Sequence, residues 1–186
     1  MSAFLFALVA VVLTSLGSRD QLLVSRLSDR LGRHVGLLVA ALVVSTATAG
    51  LMAWGGWTVS AMLPPAAKSM LVALALLLAA VELAWPNRRR ALVEPTRSVG
   101  AMAIVLAGYQ ITDGARFLIF ALAAALPATA LAAAGGAIGG CLALAAAWSA
   151  PEKIGRMPLR MLRLLLAGVL MVASIVIGLS ARGLID

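Results

Sequence analysis

The chain has 186 residues, 63% of them hydrophobic and only 12% charged, with a formal net charge of +8. A soluble domain with so little polar surface would aggregate, which excludes a water-soluble globular protein. The positive excess invites a nucleic-acid partner, but the cations fall between long apolar stretches rather than on a polar face, which excludes that reading too.

A helix needs roughly 20 apolar residues to cross a bilayer, and six stretches of the sequence meet that length. The first runs from Ala3 to about Leu27 and is interrupted by Ser15-Leu16-Gly17-Ser18-Arg19-Asp20-Gln21. It has no positive n-region and only a poor cleavage site at Leu16-Gly17-Ser18-Arg19, so it reads as a retained span and not as a signal peptide. His34 follows at a loop edge among arginines, where an interfacial residue is expected and not a metal ligand. The second span is Val35–Trp57, with Ala41, Ser45 and Ala49 along one stripe. The third is Ala66–Trp85, and Glu82 near its end either pairs with Arg88–Arg90 at the interface or lines a pathway. The fourth runs from Val99 to Leu126, interrupted by Gln110-Ile111-Thr112-Asp113-Gly114-Ala115-Arg116. The fifth, Ala128–Trp148, carries the overlapping pairs Gly135/Gly139 and Gly136/Gly140, which favour close helix packing. It also holds Cys141, the only cysteine, read as a packing residue; no intrachain disulfide can form. The sixth span is about Leu159–Leu179. Trp54, Trp57, Trp85 and Trp148 all fall at span ends, as an aromatic belt requires. The expected fold is therefore an all-α integral membrane protein of six transmembrane helices, with no extramembrane domain.

The cations fix an orientation. Eleven of them, Arg26, Arg30, Arg33, Arg88, Arg89, Arg90, Arg97, Lys153, Arg156, Arg160 and Arg163, follow the first, third and fifth spans. Only Lys68 and Arg182 lie on the opposite side, and Arg19 and Arg116 lie within spans. By the positive-inside rule the basic loops are cytoplasmic and both termini lie outside, as in a bacterial inner-membrane protein. The membrane lipid is an expected partner, and a homo-oligomer is left open.

Three spans precede and three follow a charged hinge at residues 87–95, fenced by Pro86 and Pro95. Residues 1–86 and 96–186 then form two three-helix repeats of opposite sense, the inverted-repeat plan of many secondary transporters. An offset of 95 aligns Ser15–Gln21 with Gln110–Arg116, Leu23 with Leu118 and Leu27 with Leu122.

A charge at mid-membrane costs about 2.5–3.5 kcal/mol on insertion scales, so Arg19, Asp20, Asp113 and Arg116 would together cost on the order of 10 kcal/mol unpaired. They must face each other or water inside the bundle. Asp113 and Arg116, at i and i+3, can pair locally on a helix, and the offset also permits pairs across the repeats. Gly17 and Gly114 weaken the two helices and can open backbone carbonyls to a cavity. Ser15, Ser18, Gln21, Gln110, Thr112 and Asp113 are the expected ligands of a transported ion or small solute.

Two inverted halves with a short polar motif in the first and fourth spans resemble the Gdt-type family of calcium/manganese–proton exchangers. That family includes Golgi proteins and bacterial manganese exporters within the LysE-like group. Its signature is E-x-G-D-[KR]-[TS], often followed by Gln and an apolar pair. The first copy here keeps Gly17, Arg19, Gln21 and Leu22-Leu23, with Ser15 at the Glu position and Ser18 at the Asp position. The second keeps Asp113 and the apolar pair Phe117-Leu118, with Gln110, Thr112 and Gly114 at the Glu, Gly and basic positions. The resemblance implies a multi-pass cation:proton antiporter in which paired acids bind Mn2+ or Ca2+ and carry the proton. Of the four expected carboxylates only Asp113 remains, and it is the one metal-ligand candidate. With Asp20 set against Arg19 and Arg116 the motifs carry no net negative charge, which disfavours a hard divalent cation and implies divergence in ion binding. Two other readings stay open: a non-transporting scaffold or partner subunit, and a LysE-like exporter of a polar or anionic solute that uses Arg19 and Arg116 as counter-charges. No Ser/His/Asp set, metal-ligand spacing or phosphate loop is present, so neither an enzyme nor a cofactor is expected.

Overall fold

The computed structural model describes residues 2–86, 98–156 and 158–184. The predicted hinge at 87–95 lies outside the described residues, as do Arg88, Arg89, Arg90 and Arg97, so the expected pairing of Glu82 with those arginines lies there as well.

The described residues form α1 (Ser2–Thr14), α2 (Arg19–Leu31), α3 (Val35–Ser60), α4 (Pro65–Ala84), α5 (Val99–Ile111), α6 (Gly114–Ala125), α7 (Thr129–Ser149), α8 (Pro151–Arg156) and α9 (Leu159–Ala181). Four helices, α3, α4, α7 and α9, are each long and apolar enough to cross a membrane. The interrupted stretches are bent pairs, α1 with α2 at 64° and α5 with α6 at 59°, and each pair passes the same test when taken as one span. The chain is thus all-helical among the described residues, with four to six candidate spans.

Local chemistry sets the ends. Ser18 caps α2 by accepting from the Gln21 amide, Ser98 caps α5 through the Ala101 amide, and Pro65 opens α4. His34 caps α3, its Nδ1 accepting from the Gly36 amide at 3.1 Å. The bend after α1 needs a left-handed residue and has Gly17 there, at φ 68°. The second bend has no such residue; Gly114 serves it by close approach instead, since a Cβ there would lie 2.9 Å from the Ala79 Cα.

The helices pack α4 on α9 and α6, α1 along α7, α3 on α6 and α7, α5 on α3, and α2 on α7. Leu164, Leu165, Val169, Val172 and Ile175 are exposed along the middle of α9, an apolar run that suits hydrocarbon and not water. Trp54, Trp57 and Trp85 are likewise exposed at helix ends, while Trp148 donates its Nε1–H to the His34 carbonyl at 3.2 Å. Cys141 is a free, half-buried thiol.

Close packing of α1 on α7 depends on the small-residue stripe. A Cβ on Gly135 would run into the Phe4 carbonyl, and one on Gly139 would lie 2.8 Å from the Leu8 carbonyl. Backbone cannot yield as a side chain can, so Gly135→Ala is expected to destabilise the fold by about 1–3 kcal/mol. Gly168→Ala on α9, where a Cβ meets nothing within 4 Å, should be neutral or slightly stabilising. Unfolding in detergent micelles checks the contrast; equal losses at both sites would remove the packing account.

Candidate functional site

The two bends lie beside one another, and a buried polar chain joins them. It starts at Asp20, in the first turn of α2, whose Oδ1 accepts from the Ser18 hydroxyl and from the Gln21 amide (2.8 Å). Its Oδ2 accepts from Gln110 Nε2 on α5 at 3.2 Å, a direct link between the two motifs. Gln110 Oε1 lies 2.9 Å from the Thr48 hydroxyl on α3, and that hydroxyl oxygen accepts from Arg116 Nε at 3.0 Å. Arg116 Nη2 donates to Ser45 Oγ at 2.8 Å. Gln21 completes the other side, its Oε1 accepting from the Gly17 amide (2.7 Å) and its Nε2 donating to the Ala143 carbonyl on α7 (3.1 Å). Every member of this chain is buried, Arg116 and Gln110 almost completely. In such surroundings a satisfied network specifies one arrangement and a broken one is costly.

Arg116 and Asp113 do not form the expected local pair. Asp113 is the N-cap of α6, in extended backbone, so helical i, i+3 geometry does not apply to it. The Arg116 guanidinium turns instead to Ser45 and Thr48, and its Nη1 is a buried donor without a partner. The acids whose charge reaches it are Asp20 and Asp113.

Asp113 occupies a different environment. No side-chain cap bond forms at α6; the free Gly114 amide is taken by Glu82 Oε2, reaching over from α4. A carboxylate at a helix N-terminus is electrostatically favoured. Asp113 is 7% exposed and forms part of the floor of a cleft of about 490 Å³. Glu82, Thr112 and Gly114 share that lining, Arg19 stands on it, and Leu78, Val81, Trp85, Ile111 and Phe117 make its apolar walls. Behind Asp113 a void of about 10 Å³, room for about one water, is lined by Thr14, Ser18, Glu82 and Arg163.

The sequence counts Arg163 with the cations that follow the fifth span, and the structure corrects that one assignment. It lies within α9, 6% exposed, and donates Nε to the Leu83 carbonyl (3.1 Å), Nη2 to the Glu82 carbonyl (2.7 Å) and Nη1 to the Gly17 carbonyl. It therefore ties the end of α4 to the first bend, with its charge set against carbonyls at helix C-terminal ends.

The sequence-predicted residues divide into two groups. Ser18, Asp20, Gln21, Gln110 and Arg116 meet in the buried chain, and Thr112, Asp113, Gly114 and Arg19 meet at the cleft. Ser15 is buried at the end of α1, and its carbonyl accepts from the Ser18 amide at 3.1 Å. Arg19 and Thr112 are exposed, the Thr112 hydroxyl turning back to its own helix through the Gly108 and Tyr109 carbonyls. Sequence reasoning misses Thr48 and Arg163 and reads Ser45 only as a small packing residue. Their signal is present: a polar residue at i, i+3 inside an apolar span, and a basic residue one turn inside the sixth.

Among the described residues no group of three or more His, Cys, Asp or Glu side chains is placed to hold a metal ion. No family model, curated protein or solved structure matches the chain.

Proposed function

We propose that this chain is a membrane transporter of Gdt-like plan, two inverted three-helix repeats diverged from divalent-cation exchange toward a small polar or charged solute. The observation that carries this reading is the Gln110–Asp20 hydrogen bond, which holds two broken spans together beside a cleft with a buried carboxylate on its floor. Broken helices at a shared, partly open site are what solute binding within a membrane requires. Support for the repeat comes from equivalent contacts. Ser18 and Asp113, 95 positions apart, are the N-caps of the two second half-helices. Gln21 and Arg116, also 95 apart, reach Ala143 and Thr48, themselves 95 apart. The basic loops are then cytoplasmic and both termini outside.

Mn2+ or Ca2+ is the cargo the resemblance implies. The cleft offers the carboxylates of Asp113 and Glu82, against which stands Arg19, and Asp20 is already committed to the buried chain. A hard divalent ion wants six or more oxygens and a net negative site, so affinity for it should be weak. Arg116 is sealed away from the cleft, so the alternative exporter of anions would have Arg19 alone as its counter-charge.

Reconstitution in proteoliposomes with an internal pH dye, tested against Mn2+, Ca2+ and a panel of small non-metal solutes, is the decisive measurement. Flux of one of these, with Asp113→Asn abolishing it and leaving the fold intact, is the expected result. Unchanged flux in Asp113→Asn removes that carboxylate from the mechanism, and no flux of any solute favours the scaffold.

A further inference from the structure

We infer that the cleft between α4, α5 and the start of α6 is a lateral binding site for an aminophospholipid of the surrounding bilayer. This rests on the transport reading, which it deepens by naming the class of molecule that enters the site. Leu78, Val81, Trp85 and Ile111 on its walls are all exposed, and they continue the outward apolar faces of α4 and α5. The cleft thus opens sideways toward acyl chains, and an occupant needs an apolar part that stays in the hydrocarbon. Its volume of about 490 Å³ suits a headgroup and not a bare ion.

The charges are ordered by depth. Asp113 is at the floor with Glu82 half-buried beside it, while Arg19 is exposed. A fatty acid would bring its carboxylate toward two acids. A simple cationic amphiphile would leave Arg19 facing a like charge. A molecule with a terminal primary amine beyond an anionic group satisfies both ends, the ammonium at Asp113 and Glu82, the phosphate at Arg19 and the chains outward. A primary ammonium has N–H donors to share between two carboxylates, whereas a choline headgroup has none.

The test is lipid selectivity of the intact chain. Protein equilibrated with equimolar phosphatidylethanolamine and phosphatidylcholine is examined by native mass spectrometry for the lipid it retains. Further arms replace the ethanolamine lipid with phosphatidylglycerol or with a dialkylammonium amphiphile. A net gain of one charge-assisted hydrogen bond over choline, whose charge is still attracted to the two acids, predicts enrichment of the ethanolamine lipid by about tenfold. Asp113→Asn should bring the ratio near parity, whereas Arg19→Gln, which faces the phosphate that both lipids carry, should lower retention of both and leave their ratio standing; unchanged retention in Arg19→Gln, an exposed position, would overturn the placement of the phosphate. Equal retention of the two lipids by the wild type overturns the proposal, as does enrichment that survives Asp113→Asn. Retention of phosphatidylglycerol or of the dialkylammonium amphiphile as strong as that of the ethanolamine lipid also overturns it. Selectivity without any solute flux would remove the transport reading alone; flux without selectivity would remove this one alone.

Discussion

Replacing Arg163 with methionine is expected to cost about 3–5 kcal/mol of folding stability, measured by unfolding in detergent. The guanidinium satisfies the carbonyls of Gly17, Glu82 and Leu83, which belong to two different segments. Those carbonyls lie at helix ends, and Arg163 donates to all three of them. In water such groups would be solvated when released; within a membrane protein each orphaned group costs several kcal/mol. Methionine keeps most of the volume, so the loss reports the hydrogen bonds rather than a cavity. Arg163→Lys should recover less than half of it, because an ammonium is a compact donor that cannot span a planar fork of acceptors. Full recovery by lysine would show that charge alone matters. A loss below about 1 kcal/mol, the level of an exposed contact, would show that water reaches these carbonyls.

How much of this is readable from the sequence depends on which interaction is asked about. The two bends are legible because Ser15–Gln21 and Gln110–Arg116 put polar side chains where an unbroken apolar helix has no use for them. The offset of 95 is legible for the same reason, and two residues that it aligns, Ser18 and Asp113, are both helix N-caps. The partner of Arg116 is not. Its spacing from Asp113 matches a helical pair, but Asp113 has φ −86° and ψ 136°, and a capping residue aims its side chain off the helix face. Nor is the role of Arg163 legible. Its acceptors are main-chain carbonyls, which every residue owns and no residue type marks. Ser45 and Thr48 are hidden differently, since small residues on an apolar helix serve packing as well as hydrogen bonding, and only the neighbour across the interface decides between them. Spacing locates the two polar motifs but does not give the bond that joins them, Gln110 to Asp20.

Arg116 and Asp20 should behave as one unit even though they do not touch. Arg116→Met alone is expected to destabilise by about 3–5 kcal/mol, because it leaves Asp20 as a buried anion without its balancing cation. Asp20→Asn alone should cost a similar amount from the opposite side, leaving a 1% exposed guanidinium whose Nη1 already lacks a partner. The double variant should lose much less than the sum, with a coupling of about 1–3 kcal/mol. Its polar chain can close again without charge. The carboxamide oxygen that Asp20→Asn puts in place still accepts from Ser18 and the Gln21 amide, and Gln110 turns its own amide to accept from the new NH2 group. Strict additivity in this cycle would mean that Gln110 and Thr48 insulate the two charges instead of connecting them. The hydrogen bond between the two bent pairs, on which the functional reading rests, would then be a passive contact.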